Sequence, residues 1–236
     1  MTSLFKRIGK RGADRGEVAD SPRRGGGGAE LAHASFTVLD TELTGLNRKK
    51  DEIVAIGAVK IRNFQIEIGR HFHSYIRPRR LDPTTATLVH RITPEQLRQA
   101  PPLESVLPGF FSFVGDDIIV GHFIGMDMDF ISRAAKSMRL ATPANHLVDT
   151  MRLAAIYKKL VLGRYHESSS SASGEFNLRR LTKEFDIPSF NAHDALEDAL
   201  QTAYLFLFLC KKVATRGVVT LADYRRAGQG LHWAAM

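Results

Sequence analysis

Residues Phe36-Thr37-Val38-Leu39-Asp40-Thr41-Glu42 join four residues of strand character to an acid, a spacer and a second acid. Along a strand, positions i and i+2 point to the same side. Asp40 and Glu42 therefore set two carboxylates on one face, at the end of a buried strand. Two unpaired anions side by side repel, and burying them is costly; a cation between them resolves the conflict. Donors made of oxygen alone favour a hard ion such as Mg2+ or Mn2+. An Asp-x-Glu triplet by itself is common and usually just solvated at a strand end, so its meaning is set by the rest of the chain.

Working outward, residues 53–61 form a mostly apolar strand, and residues 65–76 alternate well enough for a third. The short links between these strands predict an antiparallel meander. Asp82-Pro83 opens a helical segment through Val89, Thr93-Pro94-Glu95 is a helix start with proline in the first turn, and residues 103–114 carry apolar residues at helical spacing. Strands are expected at 117–120 and 146–148, and helices at 127–138, 149–160, 177–185 and 192–213. The last of these is apolar enough to be buried. Three strands followed by alternating strand and helix predict an α/β domain: a mixed five-stranded sheet, with a three-strand antiparallel meander plus two parallel strands, flanked by helices.

The 236 residues carry a formal charge of +8, with a sequence pI near 9.8. That excess suits a polyanionic partner such as nucleic acid, or an acidic membrane surface. A single cysteine, Cys210, excludes an internal disulfide and a cysteine-based zinc site, and fits a reducing cytoplasm. No apolar run reaches the length of about 18 residues that a membrane helix needs, and the first residues hold no apolar signal core. A cytoplasmic location without membrane contact is expected. Residues 1–34 are basic and Gly-rich with few large apolar groups, so they are expected to be a flexible arm rather than part of a core. Residues 35–214 are the expected folded domain, and 215–236 a C-terminal tail. Residues 167–174 are a Ser-rich loop of low complexity.

Three further stretches place acids or histidines where elements meet. In Gly121-His122-Phe123-Ile124-Gly125-Met126-Asp127 an acid follows a strand at the start of a helix. Its plainest role is a helix cap, which Asp129 could also fill. In Val148-Asp149-Thr150, Asp149 is most simply a cap. In His193-Asp194-Ala195-Leu196-Glu197-Asp198, Asp194 and Glu197 suit a helix N-terminus. Asp198 lies one turn into a buried helix, where a lone carboxylate needs a partner.

Together these stretches resemble the DEDD superfamily of 3′–5′ exonucleases in its histidine branch, which includes the proofreading epsilon subunit of bacterial DNA polymerase III and ribonuclease T. The resemblance runs over about residues 35–212. The first family motif matches Asp40-Thr41-Glu42-Leu43-Thr44-Gly45-Leu46, the second matches His122 with Asp127, and the third matches His193 with Asp198. Val89-His90-Arg91-Ile92-Thr93, with Ala100-Pro101, resembles the segment between the first two motifs. The chain departs from the family pattern at Phe123 and Met126 in the second motif and at Arg91, where glycine is usual. None of these is a proposed metal ligand; they bear on how the terminal nucleotide is gripped.

The resemblance implies a ribonuclease H-like exonuclease fold and hydrolysis with two Mg2+ (or Mn2+) ions held by Asp40, Glu42, Asp127 and Asp198. Residue types and chemistry agree, since four carboxylates offset two divalent cations that clamp a phosphodiester. The resemblance makes His193 the group that takes the proton from the attacking water, a task that suits an imidazole. It also implies that Thr41, Leu43 and Leu46 cradle the last nucleotide and that His90 touches it. The expected substrate is a single-stranded or frayed 3′ end, DNA in preference to RNA, with release of nucleoside monophosphates. An RNA-trimming enzyme shares every catalytic residue. A polymerase-associated subunit is a further reading, with a DNA polymerase as the partner. A generic basic domain whose acids are only caps would bind no metal.

Overall fold

The computed structural model describes residues 30–81, 85–164, 172–190 and 193–229. Residues 1–29 of the expected arm, Asp82-Pro83, most of the Ser-rich loop and the end of the tail lie outside the described residues.

The sheet follows from burial. Strand β1 (Ser35–Leu43) is buried without a break from Phe36 to Leu39, then alternates from Asp40 onward. Strand β2 (Ile53–Arg62) is buried along nearly its whole length, and β3 (Gln65–Tyr75) is largely exposed, as an edge strand is. Strands β4 (Ile118–Gly121) and β5 (Leu147–Asp149) are short. The order is β3-β2-β1-β4-β5. The β1–β2 and β2–β3 pairs are antiparallel, and β1–β4 and β4–β5 are parallel. The mixed five-stranded sheet expected from the sequence is the one found.

Helices α3 (Leu103–Val114) and α4 (Ile124–Ser137) cover one face, packing on Leu39, Leu43, Ile56 and Ala58. Helices α5 (Thr150–Leu160) and α8 (Ala195–Ala214) cover the other, on Phe36, Val38, Val59 and Ile61. Between these lie α1 (Thr85–His90), α2 (Pro94–Gln99), α6 (Ala172–Glu175) and α7 (Leu178–Glu184). Thr93 caps α2 in a reciprocal box with Gln96. No helix among the described residues is long and apolar enough to cross a membrane.

Packing reaches beyond the expected 35–214 unit. A ninth helix, α9 (Leu221–Ala227), forms in the stretch read as a tail, capped by Thr220 and Asp223. Leu31, Val218, Leu221 and Tyr224 join the α5–α8 core, and Glu30 bridges to Thr220. The reason is apolar spacing: Leu221 and Tyr224, three apart, share one helix face.

Two features position the site. Strand β4 pairs with β1 only over Phe36–Val38, so Asp40, Thr41 and Glu42 run past its end. Across β1–β2, Asp40 pairs with Gly57. A Cβ on Gly57 would lie 2.2–2.3 Å from backbone atoms of Ala195 and Leu196. The absent side chain lets the first turn of α8 rest on the sheet beside Asp40.

Candidate active site

Asp40 and Glu42 share the sheet face of Phe36 and Val38, which α8 covers. Asp194 caps α8, its Oδ1 accepting from Leu196 N at 3.0 Å and Glu197 N at 3.1 Å. That leaves Asp198 free for another role. Its Oδ2 accepts the His193 N–H at 2.9 Å, and His193 adopts the left-handed region, φ 66°. This non-glycine strain, of about 1–3 kcal/mol, turns the chain so that the imidazole and the carboxylate converge. Ligand atoms of Glu42, His193 and Asp198 all lie within 4.8 Å of one another.

Asp127 comes from the opposite layer. Its expected role as a cap is not what the structure shows: α4 starts at Ile124, with Phe123 as N-cap in the left-handed region (φ 57°) and no side-chain cap. Asp127 is instead buried, with Oδ1 accepting from Thr41 N at 3.1 Å and from the Thr41 hydroxyl at 2.6 Å. It takes the backbone donor left unpaired where β4 ends. The Thr41 side chain is thereby committed to Asp127. Asp149 caps α5 as expected, accepting from Met151 N at 2.9 Å, and also accepts Phe123 N at 3.1 Å. It thus braces the turn that delivers Asp127.

Burial dominates the electrostatics of this cluster of acids. Burial, then repulsion from Asp127, Asp198 and Glu42, pushes the Asp40 carboxyl well above the usual range. Burial and then Asp198 and Asp194 push Glu42 up to about 8. Asp127 is raised by burial to about 7 despite the hydrogen bonds from Thr41. Asp198 is raised by burial, eased by His193 and Arg179.

His122, which marks the second motif, does not join the acids. Its Nε2 donates to the Phe176 carbonyl at 2.7 Å, and Nδ1 meets the Thr150 hydroxyl at 2.9 Å. Burial pushes its pKa down to about 4, so the ring is neutral and acts as a strut between β4, α5 and α6. His90 is buried at the end of α1, with Nδ1 accepting Ile92 N at 3.0 Å. Its pKa is lowered by burial and then by the charge of His193. Arg91, where the family pattern has glycine, holds φ 59°.

The loop after Glu42 is built on Asp51, which accepts from the Thr44 hydroxyl at 3.1 Å and Asn47 N at 2.7 Å. A Cβ on Gly45 would lie 2.5 Å from the Asp51 carboxylate, so only glycine allows this approach. The Arg133 guanidinium, from α4, donates to the carbonyls of Arg48 and Asp51. Leu43 is buried in the core, whereas Leu46 is 74% exposed and free to meet a ligand. Sequence reasoning did not single out Gly57, Arg133 or Asp149 as supports of the site. Only the near-continuous apolar run around Gly57 hinted that something packs tightly there.

An exonuclease family model, RNase T, matches residues 37–206, which include all five of Asp40, Glu42, Asp127, His193 and Asp198.

The chain belongs to the RNase T family of exonucleases.

It is thus a hydrolase of the DEDD 3′–5′ exonuclease superfamily, as the motif resemblance implied. Among its relatives is the PolC-type DNA polymerase III of Staphylococcus saprophyticus, 31% identical over 190 residues, covering 80% of this chain and 12% of that protein. The chain therefore spans a small part of the length of such relatives. The fold is that of E. coli Exonuclease I, solved with a dT13 oligonucleotide (TM-score 0.66, 20% identity, 78% of this chain and 43% of that one). Exonuclease X, solved with 5′ overhanging duplex DNA, shares it too (TM-score 0.57, 23% identity, 82% and 99%).

Proposed function

We propose that this chain removes nucleoside monophosphates from the 3′ end of single-stranded or frayed DNA, using two divalent cations, Mg2+ or Mn2+. The observation that carries the reading is the convergence of Asp40, Glu42, Asp127 and Asp198 from three elements onto one sheet end, with burial raising every one of these carboxyls and repulsion from the others raising Asp40 and Glu42 further. Such a set is costly without cations, and its hard oxygen donors fit these ions. Glu42 and Asp198 lie close enough together to hold an ion in common, and Asp40 and Asp127 would complete the donor set. Bound there, such a pair of ions supplies an activated water and charge stabilisation at the leaving 3′ oxygen.

The chain's own groups do the rest. His193 stands beside Glu42 and Asp198, in position to accept a proton from water attacking the phosphodiester. The water oxygen bonds to phosphorus as its proton passes to the imidazole, the bond from phosphorus to the 3′ oxygen breaks, and that oxygen takes up a proton, leaving a 3′ hydroxyl on the strand and a free nucleoside 5′-monophosphate. Thr41 holds Asp127 in place, and the Thr44–Asp51 loop presents Leu46 to the terminal nucleotide. By the motif resemblance, His90 touches the same nucleotide. DNA is favoured because Exonuclease I and Exonuclease X were solved with DNA, and because the relatives include DNA polymerase III chains. Those polymerase chains also make a replicative polymerase the partner to test by pull-down.

The experiment is a time course with 5′-labelled oligonucleotides of DNA and RNA. The reading predicts a ladder shortening from the 3′ end on DNA with Mg2+ or Mn2+, abolished by EDTA and by Asp40→Ala. Intact oligonucleotide under all conditions, or a ladder insensitive to EDTA, contradicts it.

A further inference from the structure

The Thr44–Asp51 loop borders a second concave surface that none of the proposed catalytic residues lines. This cleft, of about 240 Å³, opens on the α3–α4 side of the sheet, whereas Asp40 and Glu42 lie on the α8 side. Its rim carries Lys49, Lys50, Arg77 and Arg79, all exposed. An adjoining hollow adds Arg80. Its floor is apolar, formed by Leu103, Phe130 and Met138. Arg133 lines it and also fixes the loop through the Arg48 and Asp51 carbonyls.

Three acids share the lining, and two are already engaged. Asp51 holds Thr44 and Asn47, and Glu52 accepts Arg79 N at 2.9 Å. Glu104 is the third, so cations outnumber acids. Like charges gathered on an exposed rim repel one another, and a polyanion relieves that repulsion. A cationic rim over an apolar floor matches a nucleotide, with its phosphate on the rim and its base face on the floor.

We propose that this cleft holds a nucleotide of the substrate strand, 5′ to the bond that is cut. The proposal rests on the exonuclease reading and adds a second contact point on the same strand. The loop is the shared wall: it faces the terminal nucleotide on one side and the cleft on the other. The cleft thus ties affinity to strand length without touching the reacting atoms.

The test compares Arg77→Gln/Arg80→Gln with a control that removes the same charge elsewhere, Lys211→Gln/Arg216→Gln, all four side chains being exposed. Two substrates are used: a long single-stranded DNA, and the p-nitrophenyl ester of thymidine 5′-monophosphate, which fills the terminal site only. For the cleft variant the expected result is a KM on long DNA raised about tenfold, with kcat within about twofold. The salt slope of DNA binding should shrink by about 1.4, for two lost phosphate contacts on a single strand. Turnover of the ester should be unchanged, and the control variant should match wild type on both substrates. A wild type active on both substrates, with a cleft variant equal to it or to the control in KM and salt slope, overturns the cleft while leaving the exonuclease reading intact. A wild type that cleaves neither substrate overturns both.

Discussion

Asp40 and Gly57 are partners across the β1–β2 ladder, and the backbone of Ala195 and Leu196 occupies the place where Gly57 would carry a Cβ. A small residue on the neighbouring strand thus sets how near α8, with His193 and Asp198 at its start, comes to the first acid. Gly57→Ala forces backbone, not a flexible side chain, to move. Overpacking of this kind costs about 1–3 kcal/mol, and displacing a catalytic group by about 1 Å can cost about a hundredfold in rate. The variant should fold with a lowered Tm and lose about a hundredfold in kcat/KM at a temperature where circular dichroism shows it folded. Wild-type kcat/KM would mean that α8 is not positioned by this contact.

Thr41→Val keeps the shape of the side chain and removes the hydroxyl that Asp127 accepts at 2.6 Å. A hydrogen bond to a charged group contributes about 1.5–3 kcal/mol. The Mg2+ concentration for half-maximal activity should rise about tenfold, and Thr41→Ser should restore it. A Thr41→Val enzyme with unchanged metal dependence would assign the hydroxyl to substrate instead.

The acid cluster makes a pH prediction. Folding raises Glu42 to about 8 and Asp127 to about 7, from ordinary values of 4.5 and 3.8. Raised carboxyls hold protons in the folded state that the unfolded chain has released. Metal-free stability is therefore fully present below about pH 4 and lost as pH rises through 7 and 8. Asp149, raised to about 6, adds a loss of the same sign that metal does not relieve directly. The Tm gained on adding Mg2+ should be larger at about pH 8 than at about pH 5.5. An equal gain at both, measured by thermal shift, would mean that the ion does not sit among these acids.

Lys60 offers a contrast away from the site. It is buried on β2, with Nζ 2.8 Å from the Thr37 hydroxyl and 2.5 Å from Asp117 Oδ2, and it also donates to the Val114 carbonyl. Lys60→Met leaves Asp117 with Thr37 and Arg62 alone. Breaking a buried pair costs about 3–5 kcal/mol, and the surviving Arg62 contact puts the expectation at about 3. Tm should fall by roughly 10 °C, while kcat well below Tm stays at the wild-type value. A loss of kcat without loss of Tm would show that this ion pair communicates with the site.

Much of this was legible in the sequence because it is local. The period-2 placement of Asp40 and Glu42, the short links around β2 and the Pro-Glu start of α2 are each written in a few adjacent residues. The start of α4 was not legible, because Phe123 caps it from a left-handed conformation without a side-chain bond; the nearest acid, Asp127, looked like the cap. Its real bonds are to Thr41, 86 residues earlier. Helix α9 was missed for a related reason. Its support is the Tyr224 hydroxyl, which accepts Asp149 N at 3.0 Å from 75 residues away. Gly57 and Arg133 act through contacts that no local pattern announces.

The central claim is that these carboxylates are a divalent-cation site for phosphodiester hydrolysis. Glu42→Gln tests it most directly, since it removes one charge and keeps the shape. With 5′-labelled DNA and Mg2+, wild type should give a ladder shortening from the 3′ end. Glu42→Gln should leave the oligonucleotide intact while its metal-free Tm at about pH 8 is at least that of wild type. A Glu42→Gln protein that cleaves at the wild-type rate would contradict the account.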